Sequence, residues 1–171
     1  LAAGELVGNA WSEIGTTAQD TQKTTVVRDG DHWRLDGAKY YTTGTIYADW
    51  ADVYVRVAGT GATTGEGAQY AIALVRTDQP GVVVSDDWDG FGQRGTGSGT
   101  ALFGGAVVDD ADVMPFDRRF GYQTALYQLN LLATLVGIGR AALDDTVREV
   151  RARDRNYSHA NAARVRDDLA L

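Results

Sequence analysis

The sequence predicts an α+β chain in which an antiparallel β-barrel is followed by one long helix. Two observations carry this. Up to about residue 115, β-branched and aromatic residues gather into short runs separated by glycine-rich turns. After Met114-Pro115 the apolar spacing changes to threes and fours, the period of a helix. We therefore divide the chain into 1–117, the barrel, and 118–171, the start of a helical domain.

The elements follow in order. Lys23–Gly44, "KTTVVRDGDHWRLDGAKYYTTG", holds two β-rich runs around Arg28-Asp-Gly-Asp31, a hairpin signal, with a second turn signal at Asp36-Gly37. Trp50–Gly59 alternates and is rich in Val and Tyr. Gly59–Gly67 is a loop, and "AQYAIALVRT" is the next strand. Pro80-Gly81 turns into a short strand, and "TALFGGAVVDDADV" is the last, with a bulge expected at Gly104-Gly105. Leu126, Leu129, Ala133, Val136, Leu143, Val147 and Val150 then form one stripe, broken only by Arg140, on a helix over Tyr122–Arg155. At 1.5 Å per residue that helix is about 50 Å long, too long to rest on the barrel alone. It needs helices from elsewhere or from other subunits.

Composition limits the function. The 171 residues carry a net charge of −7, which argues against a nucleic-acid partner. With no cysteine there are neither disulfides nor thiolate metal sites, and a reducing cytosol fits. No apolar run reads as membrane-spanning, so no membrane partner is expected. His32 and His159 lack metal-ligand spacing, and no metal site is expected. The basic run Arg151–Arg155 either complements the helix C-terminus or binds phosphate.

The run Trp88–Thr100, "WDGFGQRGTGSGT", contains the spacing G-x-G-x-x-G at Gly90–Gly95. A dinucleotide-binding turn requires a helix to begin within it, whereas here a strand follows. Gly137-Ile-Gly139 lies within the helix stripe, where small residues admit a neighbouring helix. Trp33 and Trp50 read as core. Trp11 and Trp88 adjoin polar, glycine-rich turns, where either core packing or a ligand wall accounts for them.

Five segments occur together: "GNAWSE" (Gly8–Glu13), "LDGAKYYTTG" (Leu35–Gly44), "ADWADVYV" (Ala48–Val55), "DDWDGFGQRGTGSGT" (Asp86–Thr100) and "VVDDADVMP" (Val107–Pro115). In order and spacing they resemble the middle β-domain of the acyl-CoA dehydrogenase superfamily, and the helix resembles the first of its C-terminal bundle. "WDGFGQR" and "YSHANA" are most similar to the flavin-dependent monooxygenase branch, the dibenzothiophene and sulfone monooxygenase type. The resemblance covers essentially the whole chain but less than half of a typical member. It implies that an N-terminal helical domain and most of the bundle are absent.

The resemblance implies a two-component monooxygenase. Reduced FMN (FAD is the alternative) comes from a separate NAD(P)H flavin reductase, and a C4a-hydroperoxyflavin oxygenates a small, plausibly organosulfur, substrate. It also implies a cytoplasmic homotetramer. By the same resemblance Thr43 faces flavin N5, Tyr41 stacks on the ring, and Asn9 and Ser12 line the pyrimidine edge and C4a. Trp88, with Trp11, walls the cavity, and Arg94 meets the phosphate tail. Asn9, Thr43 and Trp88 are thus the catalytic candidates. One departure weakens a CoA role: the Gly-Ser-Asp element of the dehydrogenases is replaced by Ile14-Gly-Thr-Thr-Ala-Gln-Asp20. The rivals are an FAD-dependent acyl-CoA dehydrogenase and a non-catalytic β-barrel binding or assembly module.

Overall fold

The structure is a computed structural model that describes residues 4–15, 21–59, 61–62 and 67–152. The chain divides into two compact units, 1–119 and 120–171. Parts of the Gly59–Gly67 loop, residues beyond Ala152 in the basic run, and His159 lie outside the described residues.

Unit 1 is an eight-stranded sheet. Its strands are β1 (Val7–Ala10), β2 (Thr25–Asp29), β3 (His32–Lys39), β4 (Trp50–Val57), β5 (Tyr70–Arg76), β6 (Val82–Val84), β7 (Ala101–Asp109) and β8 (Val113–Pro115). Their order is β6-β7-β3-β2-β4-β5-β8, with β1 added on β4. The sheet is mixed, which corrects the antiparallel expectation: β1 and β2 both run parallel to β4. The cause lies in the connection after β3. A single turn of 3-10 helix, Thr45–Tyr47, carries the chain to the far side of β2, so β4 enters alongside β2 and shares its direction.

β4 is forked along one edge. Its first half, Trp50–Val53, pairs with β1, and Arg56–Val57 pairs with the start of β2. β5 occupies the whole opposite edge. Successive residues of a strand point to opposite faces, and Val53, Tyr54 and Val55 are all buried, as is Ala51, so this part of β4 is covered on both faces. Val26, Leu35, Val75, Phe103 and Val108 complete the core around it. Each such side chain contributes about 1.5–3 kcal/mol by leaving water.

The β2–β3 hairpin forms as expected, turning at Gly30 with φ 63°. The turn expected at Asp36-Gly37 does not form, because β3 runs straight through it. The pairing of β3 with β7 shifts between Leu35 and Gly37, so Gly104 and Gly105 together oppose Asp36. This is the expected bulge, tied down where the Asp36 carboxylate accepts the Gly105 N–H at 2.7 Å. Asp36-Gly37 answers that bulge, and Gly37 (φ 146°) also leaves room for Thr24, whose atoms would lie 2.5–2.7 Å from a Cβ there.

Unit 2 contains α1 (Gln123–Ala152), which matches the expected helix as far as the described residues extend. Leu129, Leu131, Leu132, Leu135, Val136 and Ile138 are all exposed on it. By length and composition α1 is long and apolar enough to cross a membrane, contrary to the reading of the sequence. The described residues end with this helix.

Candidate functional site

Three segments meet at one end of the sheet: the exit of β1, the exit of β3 and the entrance to β7. Backbone hydrogen bonds lace them together. The Asn9 N–H donates to Thr43 O (3.1 Å), Tyr40 N–H to Ser12 O (2.9 Å), Thr42 N–H to Gly99 O (3.0 Å) and Gly44 N–H to Thr96 O (2.9 Å). Hydroxyls add to the lacing: Thr45 Oγ1 donates to Asn9 O and Thr42 Oγ1 to Gly99 O. Gly8 permits the approach, since a Cβ there would fall 2.3–2.5 Å from Thr45.

On this frame Asn9, Ser12, Tyr41 and Thr43 are exposed. The Thr43 hydroxyl lies 2.9 Å from Ser98 Oγ, which lies 2.7 Å from Thr96 Oγ1. Tyr41 adopts φ 57°, a left-handed conformation costly for a residue with a bulky side chain. The residue is 55% exposed, and its ring meets Trp88 edge to face (centroids 5.9 Å apart, 77° between planes).

Three glycines of the run, Gly90, Gly97 and Gly99, answer close contacts. The Trp88 indole lies against Gly90, where a Cβ would come within 2.0 Å of the ring, and its Nε1 donates to Gly92 O. Gly97, at φ 56°, abuts Ile46 and Tyr47, and a Cβ at Gly99 would meet Ser85 O at 2.0 Å. Only one 3-10 turn, Arg94–Thr96, precedes β7, and Arg94 is exposed on it. Asp87 closes the run: its carboxylate accepts both the Thr100 N–H and the Thr100 hydroxyl at 2.7 Å.

Asn9, Ser12, Tyr41, Thr43 and Trp88 are therefore brought together, and Arg94 lies two residues from Thr96 at their margin. Trp11 is not among them. Its indole donates to Asp52 (3.0 Å), packs on Tyr54 and Phe116, and carries the Arg119 guanidinium 4.5 Å above it. Burial pushes the Asp52 carboxyl above its ordinary value, against the Trp11 hydrogen bond and the Arg119 charge.

Sequence reasoning missed two features. One is the pair of hydroxyls, Thr96 and Ser98, extending from Thr43. Their signal was the alternation of hydroxyl residues with glycine in "TGSGT". The other is Lys39, which is fully buried and ion-paired at 2.9 Å to an equally buried Glu13. Burial lowers the Lys39 ammonium. Burial also pushes Glu13 up, but hydrogen bonds from the Lys23 N–H, Lys39 and the Thr24 N–H outweigh it and hold that carboxyl below its usual range.

The candidate site is an open face. A separate cavity of about 600 Å³, between Trp33, Val57, Tyr70, Val113 and Phe116, lies at the opposite ends of β3 and β4.

Residues 10–105 match the acyl-CoA dehydrogenase middle domain. The chain belongs to this family. Within this acyl-CoA dehydrogenase family the chain is similar to proteins of several kinds, among them an amino sugar nitrososynthase, DnmZ, of Streptomyces peucetius, 31% identical over 90% of this chain and 37% of that one. It is 28% identical over 90% of its length to a probable acyl-CoA dehydrogenase, YngJ, of Bacillus subtilis (strain 168), covering 41% of that protein. It is 27% identical over 94% of its length to a dibenzothiophene monooxygenase of Mycolicibacterium goodii, covering 40% of it. The crystal structure of TdsC from Paenibacillus sp. A11-2, a complex with FMN and indole, superposes with a TM-score of 0.73 at 26% identity, over 91% of this chain and 40% of that one. The chain thus spans about two-fifths of the length of the relatives it matches.

Proposed function

We propose that this chain supplies the flavin-facing β-domain of a two-component, FMN-dependent monooxygenase acting on a small organosulfur substrate. One observation carries the reading: Asn9, the Thr43 hydroxyl and the Tyr41–Trp88 pair share one face, linked through backbone and hydroxyl contacts. A flat ring with a polar edge fits such a face, which offers aromatic edges, hydroxyls and an amide. The similarity to a dibenzothiophene monooxygenase and to FMN-bound TdsC supports the choice of cofactor and substrate class. The reading brings with it a separate flavin reductase, a cytoplasmic setting and a homotetramer.

When bound, reduced FMN supplies dioxygen activation and delivers one oxygen atom to the substrate. The protein's groups bind, orient and shield. The Thr43 hydroxyl, 2.9 Å from Ser98 Oγ, would hydrogen-bond the ring at N5. The Asn9 amide and the Ser12 hydroxyl would face the pyrimidine edge, where preorganised donors would stabilise developing negative charge. Tyr41 and Trp88 would lie against the ring and shield it on their side. Arg94 stands where it can meet a phosphate.

The test is turnover of dibenzothiophene by the protein with chemically reduced FMN under ¹⁸O₂. One labelled oxygen per product molecule supports the reading. A second reading, an FAD-dependent acyl-CoA dehydrogenase, is favoured by the similarity to YngJ. Bleaching of oxidised, flavin-loaded protein by acyl-CoA without oxygen, together with no labelled product, replaces the first reading by the second.

A further inference from the structure

Lys39 sits where β3 changes neighbour. Its earlier residues pair with β2, from Asp29↔His32 to Thr25↔Asp36. Tyr40, the next residue, bridges Ser12 instead. The fork in β4 lies beside this exchange, because β1 leaves β4 at Val53 and β2 joins it at Arg56. Backbone groups at such a break have no ladder to satisfy them, and buried they require other partners.

The Glu13–Lys39 pair supplies those partners. The Lys39 ammonium donates to Trp11 O (3.3 Å), Glu13 Oε1 (2.9 Å) and Gln22 Oε1 (2.5 Å). The Glu13 carboxylate accepts the Lys23 N–H (2.8 Å) and the Thr24 N–H (2.9 Å). The two side chains are 0% and 3% exposed. A buried ion pair is a poor source of stability, since desolvation offsets its attraction. It is a good source of register, because its hydrogen bonds are directional and every wrong arrangement leaves a charge unpaired.

We propose that the Glu13–Lys39 pair is a positioning device that fixes the segment Asn9–Ser12 against the segment Tyr41–Thr43. The pair touches neither a ligand nor any reacting atom in this assignment. It acts through the Tyr40–Ser12 bridge and the Asn9–Thr43 hydrogen bond, one on each side of the flavin-facing groups. Its functional consequence rests on the flavin reading above; its structural content does not.

The test compares wild type with the double variant Glu13→Leu/Lys39→Met, which replaces the pair by apolar groups of similar size, and with Glu13→Gln. Hydrogen exchange is followed amide by amide, and FMN affinity by quenching of flavin fluorescence. Exchange at the Asn9, Tyr40 and Thr43 amides should accelerate at least tenfold while Val53, Ala73 and Phe103 keep their protection, and the FMN Kd should rise at least tenfold. Unchanged exchange at the three amides overturns the proposal, and so does uniform acceleration across the sheet in both variants, which marks the pair as merely structural. If the double variant fails to fold, Glu13→Gln is judged by the same two criteria. Wild-type protein that leaves FMN unquenched sinks the flavin reading alone, and the exchange pattern still decides the positioning role.

Discussion

Tyr41 poses the sharpest question at the scale of single residues. A half-exposed tyrosine at φ 57° gains little for the fold. Glycine at that position would relieve strain of roughly 1–2 kcal/mol. It would forfeit the edge-to-face contact with Trp88, worth about 0.5–1.5 kcal/mol, and some chain entropy. These effects nearly cancel, so Tyr41→Gly is expected to keep its stability within about 1 kcal/mol of wild type in urea unfolding. Flavin retention should nevertheless fall sharply, and a variant that binds FMN normally would remove Tyr41 from the site. For Thr43→Val, loss of one hydroxyl donor is expected to weaken FMN binding about tenfold by fluorescence titration, the scale of a single hydrogen bond. The hydroxyl was singled out only through the family resemblance of "KYYTTG"; by itself a threonine there reads as a strand end. The place of Trp11 was not legible, because a tryptophan beside a turn reads alike whether its indole meets a ligand or, as here, Asp52 and Arg119.

Among the elements, the strands were legible and their directions were not. Alternation and β-branching identify a strand locally, but the parallel run of β1 and β2 with β4 depends on which side of the sheet the chain enters after Thr45–Tyr47. The Gly104-Gly105 bulge was readable, since paired glycines in a strand have few other uses, but its answer at Asp36-Gly37 resembled a turn. Lys39 was invisible for a related reason: a lysine ending a strand is ordinarily solvated, and only the change of neighbour buries it. The packing of β1 gives a direct test. Gly8→Ala would place a methyl 2.3–2.5 Å from Thr45 and is expected to cost about 1–3 kcal/mol in urea unfolding. Gly92→Ala meets nothing within 4 Å and should be close to neutral.

For the molecule as a whole, Asp52 makes stability depend on pH. Its carboxyl titrates above the ordinary 3.8 when folded, so between those values the native state holds a proton that the unfolded chain has released. That contribution is complete below the unfolded value and is lost as pH rises through the folded one. Asp52→Asn keeps an acceptor for Trp11 and removes the titration. Its Tm relative to wild type should therefore rise as pH climbs from about 4 to about 7, and a constant difference would contradict the assignment. Glu13, held below its usual range, acts in the opposite sense in both proteins and cancels from the comparison.

The Asp87 clasp on Thr100 has a consequence for recognition. It ties the two ends of a glycine-rich segment together across thirteen positions, so the freedom of those glycines is confined within a closed ring of chain. The entropy of ordering that ring is lost during folding, and an arriving planar guest need not supply it again. Opening the clasp with Asp87→Ala should leave the strands intact and appear chiefly as faster guest release.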